Sequence, residues 1–274
     1  MVFRKKLLRG VNITVLWVLS LLVLIPLVII LVNSFKSQSE ALAMNLSWPT
    51  AFHWDNYQVV AQKTKIFQSF GNSILVAAAT TLLSIVGASM GAFVMSRRRT
   101  RRTKAIYFYF LLGLVAPLNM VPAILVMQKL LLINTQIGLI LLYTALVMPF
   151  TMFLYYGFIG TVPKELDEAA IIDGCNSVQM FVKVVFPLLK SVTVTVGILN
   201  FMSAWNDFIT PFYIMNDSNK MPMTTMIYSL YGTFQRSWNL VSAMMVLIIA
   251  PIVLVYLLGQ KYIISGMTAG AVKG

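Results

Sequence analysis

The sequence predicts an all-α protein that crosses a membrane with six helices. Mean hydropathy is +0.83, and apolar residues make up 59% of the 274 residues. Charged residues make up only 11%, whereas a soluble domain carries about 25%. A chain with so few charges cannot cover a surface in water, so the composition excludes an ordinary soluble enzyme and a disordered chain.

Runs of about 20 apolar residues predict the spans. They cover residues 11–32, 70–95, 105–127, 137–159, 191–215 and 240–260, within a single predicted domain of residues 1–274. Several runs contain proline, which neighbouring helices and waters accommodate in a membrane bundle, so we expect kinked helices. Gly87, Ser89 and Gly91 give the second span a small-residue face, which allows another helix to approach closely.

The distribution of Lys and Arg predicts the orientation. With the N-terminus in the cytoplasm, 15 basic residues lie inside and 6 lie outside, which is the asymmetry of the positive-inside rule. We therefore expect both termini to be cytoplasmic. The net charge of +13 does not indicate a nucleic-acid partner, because the charges cluster between apolar runs. The cluster Arg97–Lys104 is interpreted as a topology determinant, with binding of anionic membrane lipid as the alternative.

The first apolar run is predicted to be a retained helix. It is longer than the 7–15 apolar residues of a signal peptide. A basic start and the Ala41-Leu42-Ala43 pattern keep a cleaved signal as the alternative.

The predicted cytoplasmic loop 160–190 has the pattern of a short helix, a turn and a second helix. Pro163 suits a first helical turn, and Gly174 suits a left-handed helix end. Ser177 is the predicted cap of the second helix, and Pro187 is predicted to precede the fifth span. The acids that the helix dipole favours in the first turn are Glu165, Asp167 and Glu168.

The first of these helices suits a groove in a partner protein, because it combines acidic flanks with the small patch Ala169-Ala170. An interfacial helix that only closes the loop is the alternative.

The same loop carries a spaced motif. Glu168-Ala169-Ala170, three residues, Gly174, nine residues and then Val184-Val185-Phe186-Pro187 resembles the EAA motif of ABC importer permeases. Val184 and Phe186 stand where the family pattern has Ile and Leu, and both replacements are apolar. Nearly the whole chain resembles the second permease subunit of maltose-type carbohydrate uptake systems. The further segments that carry this resemblance are 33–36, 55–57, 72–73, 205–208 and 268–274.

This resemblance implies a permease subunit of a bacterial ABC importer for a sugar or oligosaccharide, located in the cytoplasmic membrane. It implies a second permease, two ATPase subunits that carry ATP and Mg, and an extracytoplasmic sugar-binding protein. The chain itself is expected to bind no cofactor. The implied ATPase-coupling residues are Glu168, Ala169, Ala170, Asp173, Gly174 and Pro187. The implied ATPase-contacting tail residues are Thr268, Gly270, Lys273 and Gly274.

Several chemistries are excluded by what the sequence lacks. It contains no G-x-x-x-x-G-K-[ST] run, so ATP binding through a P-loop is not expected. Cys175 and His53 are the only residues of their types. That excludes a disulfide within the chain, a Cys/His metal cluster and a credible catalytic triad.

Five polar or aromatic residues are candidates for the substrate pathway, namely Asn119, Asn200, Trp205, Asn206 and Asp207. Asn200 is expected roughly 14 Å along the fifth span, and Asp207 roughly 24 Å along it, near the outer face. Each residue has an alternative role. A buried amide can bridge two helices, and a charge near a helix end can simply reach water.

Two further functions stay open from the sequence. The solute of such an importer can be a non-sugar compound such as glycerol phosphate. Alternatively, the chain is a channel or scaffold without an ATPase, in which case the EAA spacing is a coincidence.

Overall fold

A computed structural model describes residues 2–98, 100–116, 118–233 and 237–271, where all regular structure is helical. The all-α class is thereby confirmed. The chain forms two compact units, Met1–Ile66 with Met226–Ala250, and Phe67–Thr225 with Pro251–Gly274. The single predicted domain of residues 1–274 stays a prediction.

Four helices of the described chain are long and apolar enough to cross a membrane. They are α1 (Val2–Asn33), α4 (Ile66–Arg97), α7 (Gln136–Ile159) and α14 (Trp238–Ala271). They include the first, second, fourth and sixth predicted spans. Pro26, Pro149 and Pro251 lie inside continuous helices. With 32 residues, α4 is about 48 Å long and exceeds the roughly 30 Å of a hydrocarbon core.

The shorter helices connect and flank these four. They are α2 (Gln38–Ala41), α3 (Asp55–Lys63), α5 (Arg101–Val115), α6 (Met120–Lys129), α8 (Glu165–Ile172), α9 (Ser177–Met180), α10 (Phe186–Leu188), α11 (Lys190–Asn206), α12 (Ile209–Ile214) and α13 (Met223–Thr233).

The third predicted span, 105–127, is divided into α5 and α6. Ala116 follows α5 with an extended backbone, ψ 116°. Proline follows it in the sequence, and proline disfavours helical backbone in the residue before it. Asn119 then caps α6, because its Oδ1 accepts a hydrogen bond from the Val121 amide at 3.2 Å. The expected kink is therefore a break.

The fifth predicted span, 191–215, is also divided. Helix α11 stops at Asn206, where Asp207 becomes extended with ψ 127°. The Asp207 Oδ1 accepts a hydrogen bond from the Ile209 amide at 2.9 Å, at the start of α12. Ahead of α11 the chain bends by 80° between the segments Ser177–Leu188 and Lys190–Asn206. The count of six spans therefore stays a prediction, since the structure has four continuous candidates and one bent one.

In the first unit, two of the segments that carried the family resemblance contact each other. The Asn56 side chain donates hydrogen bonds to the carbonyl oxygens of Ser34 at 2.9 Å and Lys36 at 3.0 Å. Asn239 donates in turn to the Asn56 Oδ1 at 2.8 Å. Lys36 is fully buried, and its Nζ donates to the carbonyl and side-chain oxygens of Asn45. Side-chain amides therefore join α3, the end of α1 and the start of α14.

The small-residue face of α4 packs against α7, as the sequence predicts. A Cβ atom at Gly87 would lie 3.1 Å from the Met148 Cε, and one at Gly91 would lie 2.8 Å from the Met152 Cε. Ser89 is buried. The absence of side chains at the two glycines lets the methionines fill the space between the helices.

Helix α5 packs against α7 beside α4. The rings of Tyr107 and Tyr156 stack with centroids 4.0 Å apart. A Cβ atom at Gly113 would lie 2.7 Å from the Pro149 Cγ. The proline ring thus fills the space that a side chain on α5 would occupy.

The connection between α12 and α13 is fastened to α4 and α7. Asn72 donates hydrogen bonds to the carbonyl oxygens of Asn219 at 2.9 Å and Met221 at 3.1 Å. Gln136 donates to the Asn72 Oδ1 at 2.8 Å, and the Met223 amide donates to the Ser73 Oγ at 2.7 Å. Polar residues at the beginning of two long helices therefore position this connection.

The close packing at the start of α7 predicts that Gly138→Ala destabilises the chain. A Cβ atom there would collide with the Leu132 carbonyl oxygen and lie 2.9 Å from the Thr135 Oγ1, which caps the helix. We expect a loss of about 1–3 kcal/mol from overpacking. It is measured as a lower midpoint of thermal unfolding in detergent.

Gly157→Ala on the same helix is the matched control, because a Cβ atom at Gly157 would have no neighbour within 4 Å. Equal midpoints for the two variants would contradict the packing argument.

Candidate functional site

The loop that carries the spaced motif folds into short helices around one left-handed residue. Helix α8 ends at Ile172, and Gly174 follows with a φ of +80°, as the sequence predicts. The Cys175 amide donates to the Ala170 carbonyl oxygen at 2.9 Å, which closes the end of α8. Glycine adopts this backbone without steric cost, and among the other residues Asn tolerates it best, so the position strongly favours glycine.

The cap of α9 is Asn176, and the prediction of Ser177 in that role is wrong. The Asn176 Oδ1 accepts hydrogen bonds from the amides of Val178 at 3.1 Å and Gln179 at 2.9 Å. The Gln179 side chain accepts one from the Asn176 amide at 3.0 Å. This reciprocal arrangement needs a Gln or Glu three residues after the cap. Gln179 stands at that spacing from Asn176, whereas Ser177 has Met180 there. Ser177 is therefore the first residue inside the helix.

Helix α8 has two distinct faces. Asp167 and Ala170 are 9% and 4% exposed, and they share one side because they are three residues apart. Ile171 and Ile172 are 60% and 85% exposed on the outward surface. The other exposed residues of α8 are Glu165, Leu166, Glu168 and Ala169. We call this outward set, Glu165, Leu166, Glu168, Ala169, Ile171 and Ile172, the α8 outer face. It combines carboxylates with exposed isoleucines, a composition that suits a partner protein.

The inward face of α8 is fastened to the end of α4. The Arg97 Nε lies 2.6 Å from the Asp167 Oδ2, and a second guanidinium nitrogen donates to Oδ1 at 3.3 Å. The same nitrogen donates to the Val162 carbonyl oxygen at 3.2 Å. Ala170 packs into a cluster with Phe93, Phe181 and Val185. The short helix is therefore held by one forked ion pair and one apolar contact.

From the sequence, Arg97 is predicted to be a topology determinant or to bind anionic lipid, and Asp167 is predicted to be an acid near a helix start; neither prediction pairs the two residues. The sequence contains one signal for their pairing. Asp167 lies three residues before Ala170, on the face that a helix packing through its alanine must bury. A buried carboxylate needs a cation, and the chain has a cluster of arginines at the end of the second span.

In the second half of the motif, residues 184–186 pack into the interior and Pro187 is exposed. Val185 is fully buried and Phe186 packs against the same cluster. The chain passes through a π-helical turn, Phe181–Val185, before α10. Pro187 is exposed within α10, and α11 begins at Lys190 after the 80° bend. Pro187 thus precedes the fifth span, as predicted, but a corner separates the two.

The remaining coupling candidates lie where the motif spacing puts them. Glu168 and Ala169 are exposed on α8, and Asp173 is exposed immediately after it. The structure therefore brings Glu168, Ala169, Asp173 and Gly174 to one exposed surface, while Ala170 faces the core. For the tail candidates, the backbone of Thr268 and Gly270 is helical within α14. Lys273 and Gly274 lie outside the described residues.

Asn200 bridges three helices. It is 2% exposed, and its Nδ2 donates to the Ser84 Oγ at 2.8 Å and the Thr151 Oγ1 at 2.9 Å. It thereby joins α11 to α4 and α7. Both amide hydrogens are used within the protein, which is the helix-bridging alternative considered from the sequence.

The other pathway candidates have local roles or are exposed. Trp205 is 2% exposed; its ring stacks on Phe201 at 5.8 Å and meets the edge of Phe70 at 5.7 Å. The Asp207 carboxylate accepts the hydrogen bond of the Ile209 amide and thereby caps the start of α12. Asn206 and Asn119 are exposed.

The structure does not bring the five pathway candidates into one site. Asn200 lines a mostly apolar cavity of about 440 Å³ between α7 and α11. Asn119 lines a different cavity of about 450 Å³, beside Pro122 and Pro149. Among the residues that the structure describes, no group of three or more His, Cys, Asp and Glu residues is placed to hold a metal ion.

Known proteins similar to this chain are membrane components of uptake systems. Residues 85–269 match the family described as binding-protein-dependent transport system inner membrane component. The probable starch degradation products transport system permease protein AmyC of Thermoanaerobacterium thermosulfurigenes is 33% identical, over 93% of this chain and 94% of that protein. The melibiose/raffinose/stachyose import permease protein MelC of Bacillus subtilis is 32% identical, over 91% of each.

A solved structure shares the fold. It is the crystal structure of a bacterial ABC transporter involved in the import of the acidic polysaccharide alginate. The TM-score is 0.83 at 22% identity, and the match covers 94% of this chain and 96% of that one. The loop with the spaced motif and the interrupted helices thus belong to a fold that this solved structure shares.

The bridging hydrogen bonds of Asn200 predict that Asn200→Ala lowers stability. We expect a loss of about 0.6–2 kcal/mol, because the hydroxyls of Ser84 and Thr151 lose their shared partner between helices. The midpoint of thermal unfolding in detergent measures it. Asn206→Ala, on the exposed end of the same helix, is the control and should leave the midpoint unchanged. A wild-type midpoint for Asn200→Ala would contradict the bridging role.

Proposed function

The chain belongs to the family of binding-protein-dependent transport system inner membrane components, and from that premise we propose that it translocates a sugar or oligosaccharide as the permease subunit of an ATP-driven importer. The observation that carries the sugar assignment is the similarity along nearly the whole chain to permeases named for starch degradation products and for melibiose, raffinose and stachyose. A relation that covers 91% to 93% of the chain, and not the motif loop alone, supports a common type of solute.

In this proposal the chain works in a complex. A second permease completes the membrane pathway, two ATPase subunits lie on the cytoplasmic side, and a sugar-binding protein delivers the solute from outside. ATP and Mg belong to the ATPase subunits. This chain binds neither, since its sequence has no P-loop. Both termini and the loop 160–190 lie in the cytoplasm, as the positive-inside asymmetry favours.

The α8 outer face is the part of the chain that contacts an ATPase subunit. Two features support this assignment. Its exposed isoleucines supply apolar area for a groove, and Glu165 and Glu168 supply charges for a basic rim. The opposite face is already used for attachment to the bundle through Asp167 and Ala170. A helix held on one side and exposed on the other can pass a displacement from a partner into the membrane helices.

The mechanism follows from coupling between two states. Closure of the ATPase dimer on ATP displaces α8, and the membrane helices change between inward-facing and outward-facing arrangements. The loaded binding protein favours one of these arrangements from the other side of the membrane. Both ligands thereby bias one two-state element, which is what allosteric coupling requires.

Two of the five pathway candidates are better placed than the others to meet a solute. Asn119 and Asn206 are exposed, although the Asn119 Oδ1 also caps α6. The Asn200 amide is buried and the Asp207 carboxylate is only partly exposed, and both are hydrogen-bonded within the chain. The tail residues Thr268, Gly270, Lys273 and Gly274 are proposed to reach the ATPase dimer.

The first test is affinity purification of the chain from its native membrane in mild detergent, followed by identification of the proteins that accompany it. We expect an ATPase, a second permease and a binding protein. The complex is then reconstituted into liposomes with ATP inside, and uptake of labelled malto-oligosaccharides is compared with uptake of glycerol phosphate. Uptake of glycerol phosphate alone would replace the sugar assignment. Recovery of the chain only as a homo-oligomer would contradict the importer.

Substitution of Gly174 tests the coupling surface. Gly174→Val forces a β-branched residue into a left-handed backbone, which costs at least about 1–2 kcal/mol and distorts the end of α8. We expect sugar uptake to be lost while the ATPase stays bound and active. Gly174→Asn is the matched control and should retain uptake, because Asn tolerates this backbone. Full uptake by the Val variant would contradict the coupling role.

A further inference from the structure

The ion pair between Arg97 and Asp167 joins distant parts of the chain at partly buried positions. The two residues are 70 positions apart, and their side chains are 14% and 13% exposed. The pairs His53–Asp55 and Lys220–Asp217 are different, because they join near neighbours in the sequence and are more exposed. A pair shielded from water is screened less by salt and gains more from a fixed geometry.

The Arg97 guanidinium approaches Asp167 with two nitrogens and has a third point of attachment. Two guanidinium nitrogens face the two carboxylate oxygens of Asp167, and one of them also donates to the Val162 carbonyl oxygen. Val162 precedes α8 and Asp167 lies within it. Arg97 therefore contacts the helix and the segment leading into it at the same time, with separate nitrogens of one planar group, whereas an ammonium has a single nitrogen for all of these contacts.

Each charge also lies where its helix favours it. Arg97 is the last residue of α4, next to the negative end of the helix dipole, and Asp167 lies in the first turn of α8, next to a positive end. The pair thus joins the two helices at their ends. Helix α8 has only eight residues, too few to be stable in isolation, so its position depends on these attachments.

The contact continues into the bundle. Helix α4 is unbroken from Ile66 to Arg97, and Ser84 near its middle accepts the hydrogen bond of Asn200. Asn200 donates also to Thr151 on α7. Asp167 thus links α8 to α4, and Asn200 links α4 further to α7 and α11. Ala170 adds an apolar contact with the cluster to which α7 and α11 also contribute.

We propose that Arg97 and Asp167 are positioning residues that transmit the displacement of α8 to α4, and this role rests on the proposed coupling of α8 to an ATPase. The pair contacts neither solute nor nucleotide. It sets how much of the ATPase movement reaches the membrane helices.

The experiment uses the complete complex in liposomes and compares wild type with Arg97→Lys. Lysine keeps the charge but replaces the planar group, which faces the carboxylate with two nitrogens, by a single nitrogen on a flexible stem. Two ratios are measured: ATP hydrolysed per sugar imported, and ATPase activity with loaded binding protein relative to activity without it. We expect Arg97→Lys to raise the ATP hydrolysed per sugar imported and to lower the stimulation of the ATPase by loaded binding protein. Each change should be about fivefold or more, since fivefold is at the lower end of allosteric couplings.

Arg98→Lys is the matched control. Arg98 is the next residue in the chain and is exposed, so we expect both ratios to stay at wild-type values. A second pair of variants compares Arg97→Asp with the charge-reversed double variant Arg97→Asp/Asp167→Arg. The double variant should restore part of both ratios, because it re-forms an ion pair between the same two positions.

The outcomes separate the inference from the proposed function. Wild-type ratios in Arg97→Lys, with the ATPase bound in normal amount, would overturn the positioning role. Loss of the bound ATPase in Arg97→Lys would also overturn it and would assign the pair to folding of the loop. A wild-type complex whose ATPase responds to its binding protein but imports no sugar would contradict the proposed solute. The response of the ATPase would still decide the role of the pair.

Discussion

Every backbone amide and carbonyl inside a hydrocarbon layer needs a hydrogen-bond partner within the protein, and this requirement shapes the whole chain. Helices satisfy it locally, so all regular structure in the described residues is helical. The same requirement applies where the predicted spans 105–127 and 191–215 are interrupted, because the first amides of the following helix need new acceptors. Where α5 and α11 end, the following helix is provided with a side-chain oxygen, from Asn119 in one case and Asp207 in the other. Asn119 and Asp207, which are pathway candidates by sequence, therefore also cap helices in the structure.

Packing within the bundle depends on small residues and a few buried polar groups. Gly87 and Gly91 accept the methionines of α7, and Gly113 accepts the ring of Pro149. Lipid supplies no hydrophobic force between helices, so close approach and interhelical hydrogen bonds must supply the cohesion. Asn200 illustrates the second contribution, since one amide satisfies hydroxyls on two other helices. Such contacts also specify which helices are neighbours, because a different arrangement would leave the amide unpaired in an apolar environment.

Within the loop 160–190, the short helix α8 attaches to the bundle through one face and leaves the other face exposed. Asp167 and Ala170 attach it to α4 and the core, while Glu168 and Ala169 remain exposed beside the isoleucines. The helical repeat produces this separation, because residues three apart share a face and their neighbours point elsewhere. Gly174 then ends the helix in a backbone that other residues adopt only with strain. A motif that reads as one continuous pattern therefore contains residues with different tasks, and its last part, around Val185, belongs to the interior.

The sequence by itself determined the features that depend on local chemistry and composition. Long apolar runs predicted six spans, of which four are continuous helices in the described residues. The glycines of α4 predicted a close helix contact, and Gly174 predicted a left-handed turn. The motif spacing predicted the family. Only the tertiary structure decided that residues 105–127 and 191–215 are interrupted, because an apolar run has the same composition whether its helix continues or is capped again. It also decided that Asn200 bridges helices and that Arg97 meets Asp167. These partners lie 49 to 116 positions apart in the chain, and which distant residues become neighbours is set by the packing of whole helices and not by the pattern of any single segment.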